Sequence, residues 1–150
     1  MAQQQKSPEE IAERAWALMD EIKVCLFSTW DGSRIEERPL TAMCDREGGV
    51  VHFLVDAGGS KNWQAEQHPE VVLGFAGTGS NDYVVVHGRA AVRDDRALIR
   101  ELWSPFAKAW WESPDDPAIR VITVTPEHAE VWDGPSGLLA GAVMLGAAMT

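Results

Sequence analysis

Three groups of residues in this 150-residue chain have types and spacings suited to chemistry. The first is Arg38-Pro39-Leu40, a cation and a proline inside a run that otherwise reads as strand. Proline gives no hydrogen bond to a ladder, so within a strand it marks an edge or a bulge, where neighbouring peptide groups can face a ligand. The second is Gly58-Gly59-Ser60-Lys61, where a glycine-rich break ends one strand and opens a helix. Backbone amides exposed there, with the serine hydroxyl and the lysine ammonium, make an anion site of the kind phosphate groups use. The third is the set Trp103, Trp110, Trp111 and Trp132, whose flat polarizable rings suit either a core or a wall for an aromatic ring. Taken singly, each has an ordinary use: Arg38 in a surface ion pair, Lys61 in solvent, the tryptophans in a core.

Other chemistries are missing their signatures. There is no Walker loop, paired-cysteine zinc pattern, nucleophile elbow or helical metalloprotease motif. His52, His68, His87 and His128 are scattered, without ligand spacing to Cys25 or Cys44, so no metal site is expected. Gly77-Thr78-Gly79 is a lone Gly-x-Gly and reads as a hairpin turn. Thirteen Lys and Arg against 23 Asp and Glu give a net charge of -10, which repels phosphodiester backbones and anionic lipid at long range. Nucleic acid and membrane are therefore not expected partners. No run approaches the roughly 20 apolar residues of a membrane span, and residues 1–7 lack a secretory layout. Two cysteines in apolar runs read as free thiols of a reducing compartment, so a cytoplasmic protein is expected.

The elements that would position these residues follow from local signals. The length is that of one ordinary domain, read as a helix at 8–22, a barrel at 23–133 and a Gly/Ala-rich segment at 134–150. Ser7 and Glu10 make a capping box around Pro8, with Ile11, Ala15, Leu18 and Ile22 at helical spacing. Strands are expected at 24–30 and 35–44 around an Asp31-Gly32 turn, and at 50–55 after a second turn. A short helix at 60–68 precedes strands at 71–76 and 83–93, the latter the longest. A helix from Asp94 or Asp95 places Leu98, Leu102, Phe106 and Trp110 along one side, interrupted near Ser104-Pro105. Strands at 119–125 and 129–133 flank Pro126, and 134–150 leans to a short apolar helix. About six strands, early hairpins and one crossover helix fit a closed antiparallel barrel better than an open sheet or a doubly wound fold.

Read in order, these pieces resemble the pyridoxamine 5'-phosphate oxidase-related superfamily of FMN-binding split barrels, and within it the general stress protein 26 family. The resemblance runs from the first helix to Trp132. It rests on Asp31-Gly32 leading to Arg38-Pro39-Leu40, on Val51-His52-Phe53-Leu54 before Ser60-Lys61, on His68-Pro69-Glu70-Val71, and on Val86-His87-Gly88-Arg89-Ala90. Leu102-Trp103-Ser104-Pro105, Ala109-Trp110-Trp111, Asp115-Asp116-Pro117 and the stretch from Val124-Thr125-Pro126 to Trp132-Asp133 extend it.

The resemblance implies a mainly β, six-stranded antiparallel split barrel with peripheral helices. It also implies a homodimer holding FMN in grooves between the subunits. Arg38 and Lys61 would pair with the FMN phosphate, helped by Ser60, and the strand around Phe53, Leu54 and Val55 would lie along the flavin. Pro39, Leu40 and Thr41 would present backbone to the ring's polar edge, and Trp103, Trp110 or Trp132 would reach in from the partner chain. The sequence departs from the oxidase pattern at Gly59, Val55 and Met43, which replace a hydroxyl residue, a threonine and a second phosphate-binding lysine. The C-terminal arginine and histidine motif for pyridoxal phosphate is absent, so pyridoxamine oxidation is not expected. The readings that remain are a flavin-dependent oxidoreductase acting on a small-molecule redox substrate, a non-catalytic FMN-binding or redox-sensing protein, a related barrel using F420 or haem, and an interaction module. No side chain is an evident acid or base, and His52 and His87 are the nearest candidates.

Overall fold

The computed structural model describes residues 7–58, 60–134 and 139–143, with the backbone alone for 60–63 and 139–143. The first helix, α1 (Pro8–Ile22), starts as its sequence dictates: Ser7 Oγ accepts from the Glu10 N–H and Glu10 Oε1 accepts from the Ser7 N–H. Its buried stripe, Ile11, Ala12, Ala15, Trp16, Leu18 and Met19, packs into the main core. Arg14 on its outer side donates to both carboxylate oxygens of Asp133, at 2.9 and 3.1 Å, which pins the helix to the end of the sheet.

The strands form one antiparallel sheet. β1 (Val24–Trp30) and β2 (Ile35–Thr41) are a hairpin whose loop is held by Asp31 Oδ1, which accepts from the Ser33 and Arg34 amides and is thereby held below the usual carboxylate range. The second strand was expected to continue to residue 44. Instead it breaks at Ala42, whose N–H turns to the Lys23 carbonyl, and residues Met43–Asp45 form a separate strand, β3, paired with β4 (Val50–Asp56). The break lets the chain leave one end of the sheet and start the other.

After β4 come α2 (Ser60–Gln67), β5 (Glu70–Gly77), β6 (Asp82–Arg93), α3 (Arg96–Leu102), a 3₁₀ turn (Pro105–Ala109) and β7 (Ile119–Trp132). The order across the sheet is β2-β1-β5-β6-β7-β4-β3. β2 also comes up against β4, the approach that curls the sheet into a split barrel. Phe27 of β1 meets Phe53 of β4 edge to face across the interior, centroids 5.1 Å apart.

β7, and not β6, is the longest strand, 14 residues against 12. The two short strands expected around Pro126 are one strand with a bulge: Gly88 lies opposite Pro126 and His87 opposite His128, so Glu127 is an extra residue. A bulge is where a proline without an N–H is tolerated. The extra residue reverses the facing of the strand. Before it, Ile122 and Val124 point into the main core; after it, Ala129 and Val131 do.

Two further expectations fail for tertiary reasons. Leu98, Leu102, Phe106 and Trp110 do not share one buried side: α3 ends at Leu102, Leu98 and Leu102 pack partly buried against a second core of Ile99, Ala107, Trp111, Ile119 and Val121, and Phe106 and Trp110 stand 82% and 76% exposed. The tail is not a helix where it is described but an eighth strand, β8 (Leu139–Val143), paired with Ala129 to Trp132 of β7. β4 covers only the first half of β7, Ile119 to Val124, and the open edge of the second half takes the tail. Residues 135–138 and 144–150 of that segment lie outside the described residues. Among the described residues, eight strands thus replace the expected six.

The bulge gives a stability prediction. A Cβ at Gly88 would sit 2.7 Å from the Thr125 carbonyl oxygen and 3.2 Å from the Pro126 Cα, both backbone atoms that cannot rotate away. Gly88→Ala should therefore destabilise the fold by about 1–3 kcal/mol in urea unfolding. An unchanged midpoint would mean that the two strands are not in this close register.

Candidate functional site

β2 alternates, so Arg38, Glu36 and Leu40 share its inner face while Ile35, Glu37, Pro39 and Thr41 face out. Register puts Phe27 opposite Arg38 and Thr29 opposite Glu36. Arg38 Nη2 donates to Glu36 Oε2 at 3.0 Å, and both side chains are 27% exposed. Gln64 Nε2 donates to the same oxygen at 3.1 Å, and buried Thr29 donates its hydroxyl to Gln64 Oε1 at 2.6 Å. Gln64 belongs to α2, so the network ties that helix to β1 and β2 one turn beyond its opening residues Ser60 and Lys61. The backbone of Ser60 and Lys61 is helical, and their side chains, like all of Gly59, lie outside the described residues. Just before them, the Gly58 N–H donates to Asp56 Oδ1 at 2.9 Å.

The structure brings together only part of the set read from the sequence. Arg38 and Leu40 lie on the inner face of β2, and Arg38 is tied through Glu36 to Gln64 of α2. Phe53 and Val55 point into the main core, fully buried, and Leu54 faces the second core, so none of the three side chains is offered to a ligand. Pro39 and Thr41 are on the outer face of an edge strand, where a proline costs no ladder bond. Trp103 packs partly buried against the second core and Trp110 is exposed. Trp132 stands half-buried on the outer face opposite Tyr83.

That outer face holds what the sequence did not announce. An open groove of about 760 Å³ is lined by Trp30, Ile35, Glu37, His68, His87 and Arg89 among others, on the opposite side of β2 from Arg38. The histidines are not all scattered: His87 and His128 stand across from each other, ring centroids 6.0 Å apart. The sequence holds no signal for this pair beyond the bulge-forming Pro126, two residues before His128. Glu36 is not singled out in the sequence, although its i, i+2 spacing to Arg38 on a strand puts both on one face, and the third member, Gln64, is brought by the fold.

His52 and the cysteines are parts of the scaffold. His52 is buried with Nδ1 2.9 Å from Thr123 Oγ1, and desolvation pushes its pKa down. Burial pushes the Cys25 thiol up to about 12 and the Cys44 thiol up to about 11, so neither is a thiolate at neutral pH. Both are free. Among the described residues, no helix is long and apolar enough to cross a membrane.

A curled antiparallel sheet, an arginine on β2 and a helix opening after β4 invite comparison with known proteins. The family model described as "Pyridoxamine 5'-phosphate oxidase like" matches residues 10–150. The chain belongs to that family. Among the pyridoxamine 5'-phosphate oxidase like proteins it is 25% identical over 128 residues to general stress protein 26 of Bacillus subtilis, covering 83% of this chain and 90% of that one. The fold is shared with the general stress protein 26 of Bacillus anthracis, at a TM-score of 0.74 and 20% identity over 81% of this chain and 93% of that one. It is shared as well with the general stress FMN/FAD binding protein of Xanthomonas citri, at a TM-score of 0.75 and 24% identity over 89% and 95%.

Proposed function

We propose that this protein binds FMN between two copies of the chain and serves as a flavin-dependent oxidoreductase for a small-molecule substrate. The observation that carries the reading is the network joining Arg38 on β2 to α2 through Glu36 and Gln64, because it ties a guanidinium to the helix whose first turn carries Ser60 and Lys61. Guanidinium, ammonium and free amides at a helix start are the donor set a phosphate monoester needs, and so the residues present fit the group. In a chain of net charge -10, local cations are the condition for holding such an anion at all. The likeness to the general stress FMN/FAD binding protein of Xanthomonas citri supports the same ligand class.

Each part of the chain has a task in this reading. Arg38 and Lys61 would hold the phosphate, and the backbone of β4 and of Pro39, Leu40 and Thr41 would serve the flavin ring. Bound flavin supplies hydride or single-electron transfer. The second copy is supported by the outer face, where Val24 and Leu26 are each 50% exposed, Trp30 42% and Ile35 68%, an apolar row that one chain leaves uncovered. Trp132 lies on that same face.

Two measurements test the proposal. In fluorescence titration of the apoprotein with FMN, Arg38→Ala and Lys61→Ala should each weaken binding about tenfold or more, since a charge-assisted hydrogen bond contributes roughly 1.5–3 kcal/mol. Glu36→Gln should strengthen it a few fold, because the phosphate then no longer competes with a carboxylate for Arg38. Equal affinity in wild type and both cation variants would remove the phosphate site from the seam. In sedimentation equilibrium the protein should run at the mass of two chains, and Leu26→Asp should reduce it to one. A monomeric wild type would contradict the shared site.

A further inference from the structure

We propose that His87, His128 and Glu130 form a binding site for a divalent first-row transition ion of the zinc type on the outer face of β6 and β7. One ligand atom from each residue lies within 4.8 Å of the others. His87 and His128 are directly opposite on antiparallel strands, and Glu130 follows His128 by two positions, on the same face. With bonds of about 2.0–2.1 Å, tetrahedral ligands stand about 3.3 Å apart, so closing the site requires small side-chain rotations. Those rotations are open to it, since His87 is exposed and the other two are half-buried.

The bulge makes the site. Before Glu127 the even-numbered residues of β7 face the barrel interior, as Ile122 and Val124 do; after it the odd-numbered ones do, as Ala129 and Val131 do. Without the extra residue His128 and Glu130 would point into the apolar core, and His87 would stand alone on the surface. Bulges re-aim side chains in this way next to functional sites. Val85, directly opposite Glu130, and half-buried Trp132 flank the cluster on one side and reduce competing hydration there.

The donor set decides the ion class. Two imidazoles and one carboxylate suit zinc, copper, nickel or iron, whereas magnesium and calcium require oxygen ligands throughout. Three protein ligands leave a coordination position open. His87 also lines the outer groove, whose far wall carries Trp30 and Ile35 of the face proposed to meet the second copy. A divalent charge is favoured by the chain's net charge of -10. The site does not rest on the flavin reading and stands or falls separately.

The test is calorimetric titration of tag-free, chelator-stripped protein with Zn²⁺, and with Co²⁺ followed by its visible ligand-field bands. Wild type should take up one ion per chain at micromolar or tighter affinity and gain thermal stability. His87→Ala and His128→Ala should each weaken binding at least tenfold and abolish the Co²⁺ bands, while His68→Ala, outside the cluster, should leave them unchanged. Circular dichroism shows whether the variants are folded, and Glu130→Gln, which preserves shape, gives a second variant whose binding should also weaken. Absence of saturable binding in wild type would overturn the proposal, as would undiminished binding in His87→Ala/His128→Ala.

Discussion

The one-residue bulge in β7 determines what the rest of the molecule can be. β7 is the only strand that pairs with three others among the described residues: β6 along its length, β4 over its first half and β8 over its second. A strand 14 residues long and straight would place one set of alternating side chains inward throughout. With Glu127 inserted, Ile119 and Val121 can serve the second core beneath α3, Ile122 and Val124 the barrel, and Ala129 and Val131 the barrel again. The outward residues of the second half, His128, Glu130 and Trp132, are consequences of the same insertion. Gly88 is required opposite it because the two backbones approach too closely there for any side chain.

The candidate cofactor site depends on a second constraint, that of keeping a cation in place within an acidic protein. Arg38 has a carboxylate from its own strand as partner, and Glu36 in turn is shared with Gln64 of α2. A half-buried ion pair of this kind holds the guanidinium in one orientation, and it also supplies an anion that any incoming phosphate must displace or share. Arg38 and Lys61 are the two cations on which the phosphate reading relies.

Local signals carried most of the fold. The Ser7/Glu10 box, the turn at Asp31-Gly32 and the strand at 24–30 are decided within a few residues, and the structure has them where the sequence places them. What was not legible depends on distant chain. The break at Ala42 follows from a carbonyl at Lys23, and β8 forms because β4 runs out halfway along β7. Phe106 and Trp110 share helical spacing with Leu98, but the helix ends before it can use them. The site shows the same division. Arg38 could be read from its proline neighbour, while its tie to Gln64 and the meeting of His87 with His128 could not, since each joins residues from elements that only the folded sheet brings together. Nor could the fate of Phe53 and Val55 be read, because an apolar strand run has the same composition whether it lines a ligand or fills a core.

The central claim is that the cofactor is held by its phosphate at the seam of β2 and α2, and the most direct test is to remove that phosphate from the ligand. Parallel titrations of the apoprotein with FMN and with riboflavin compare the two at constant ring chemistry. Two charge-assisted contacts of roughly 1.5–3 kcal/mol each predict riboflavin binding weaker by about a hundredfold or more. Riboflavin binding as tightly as FMN would contradict the account, placing the affinity in the ring and not at Arg38.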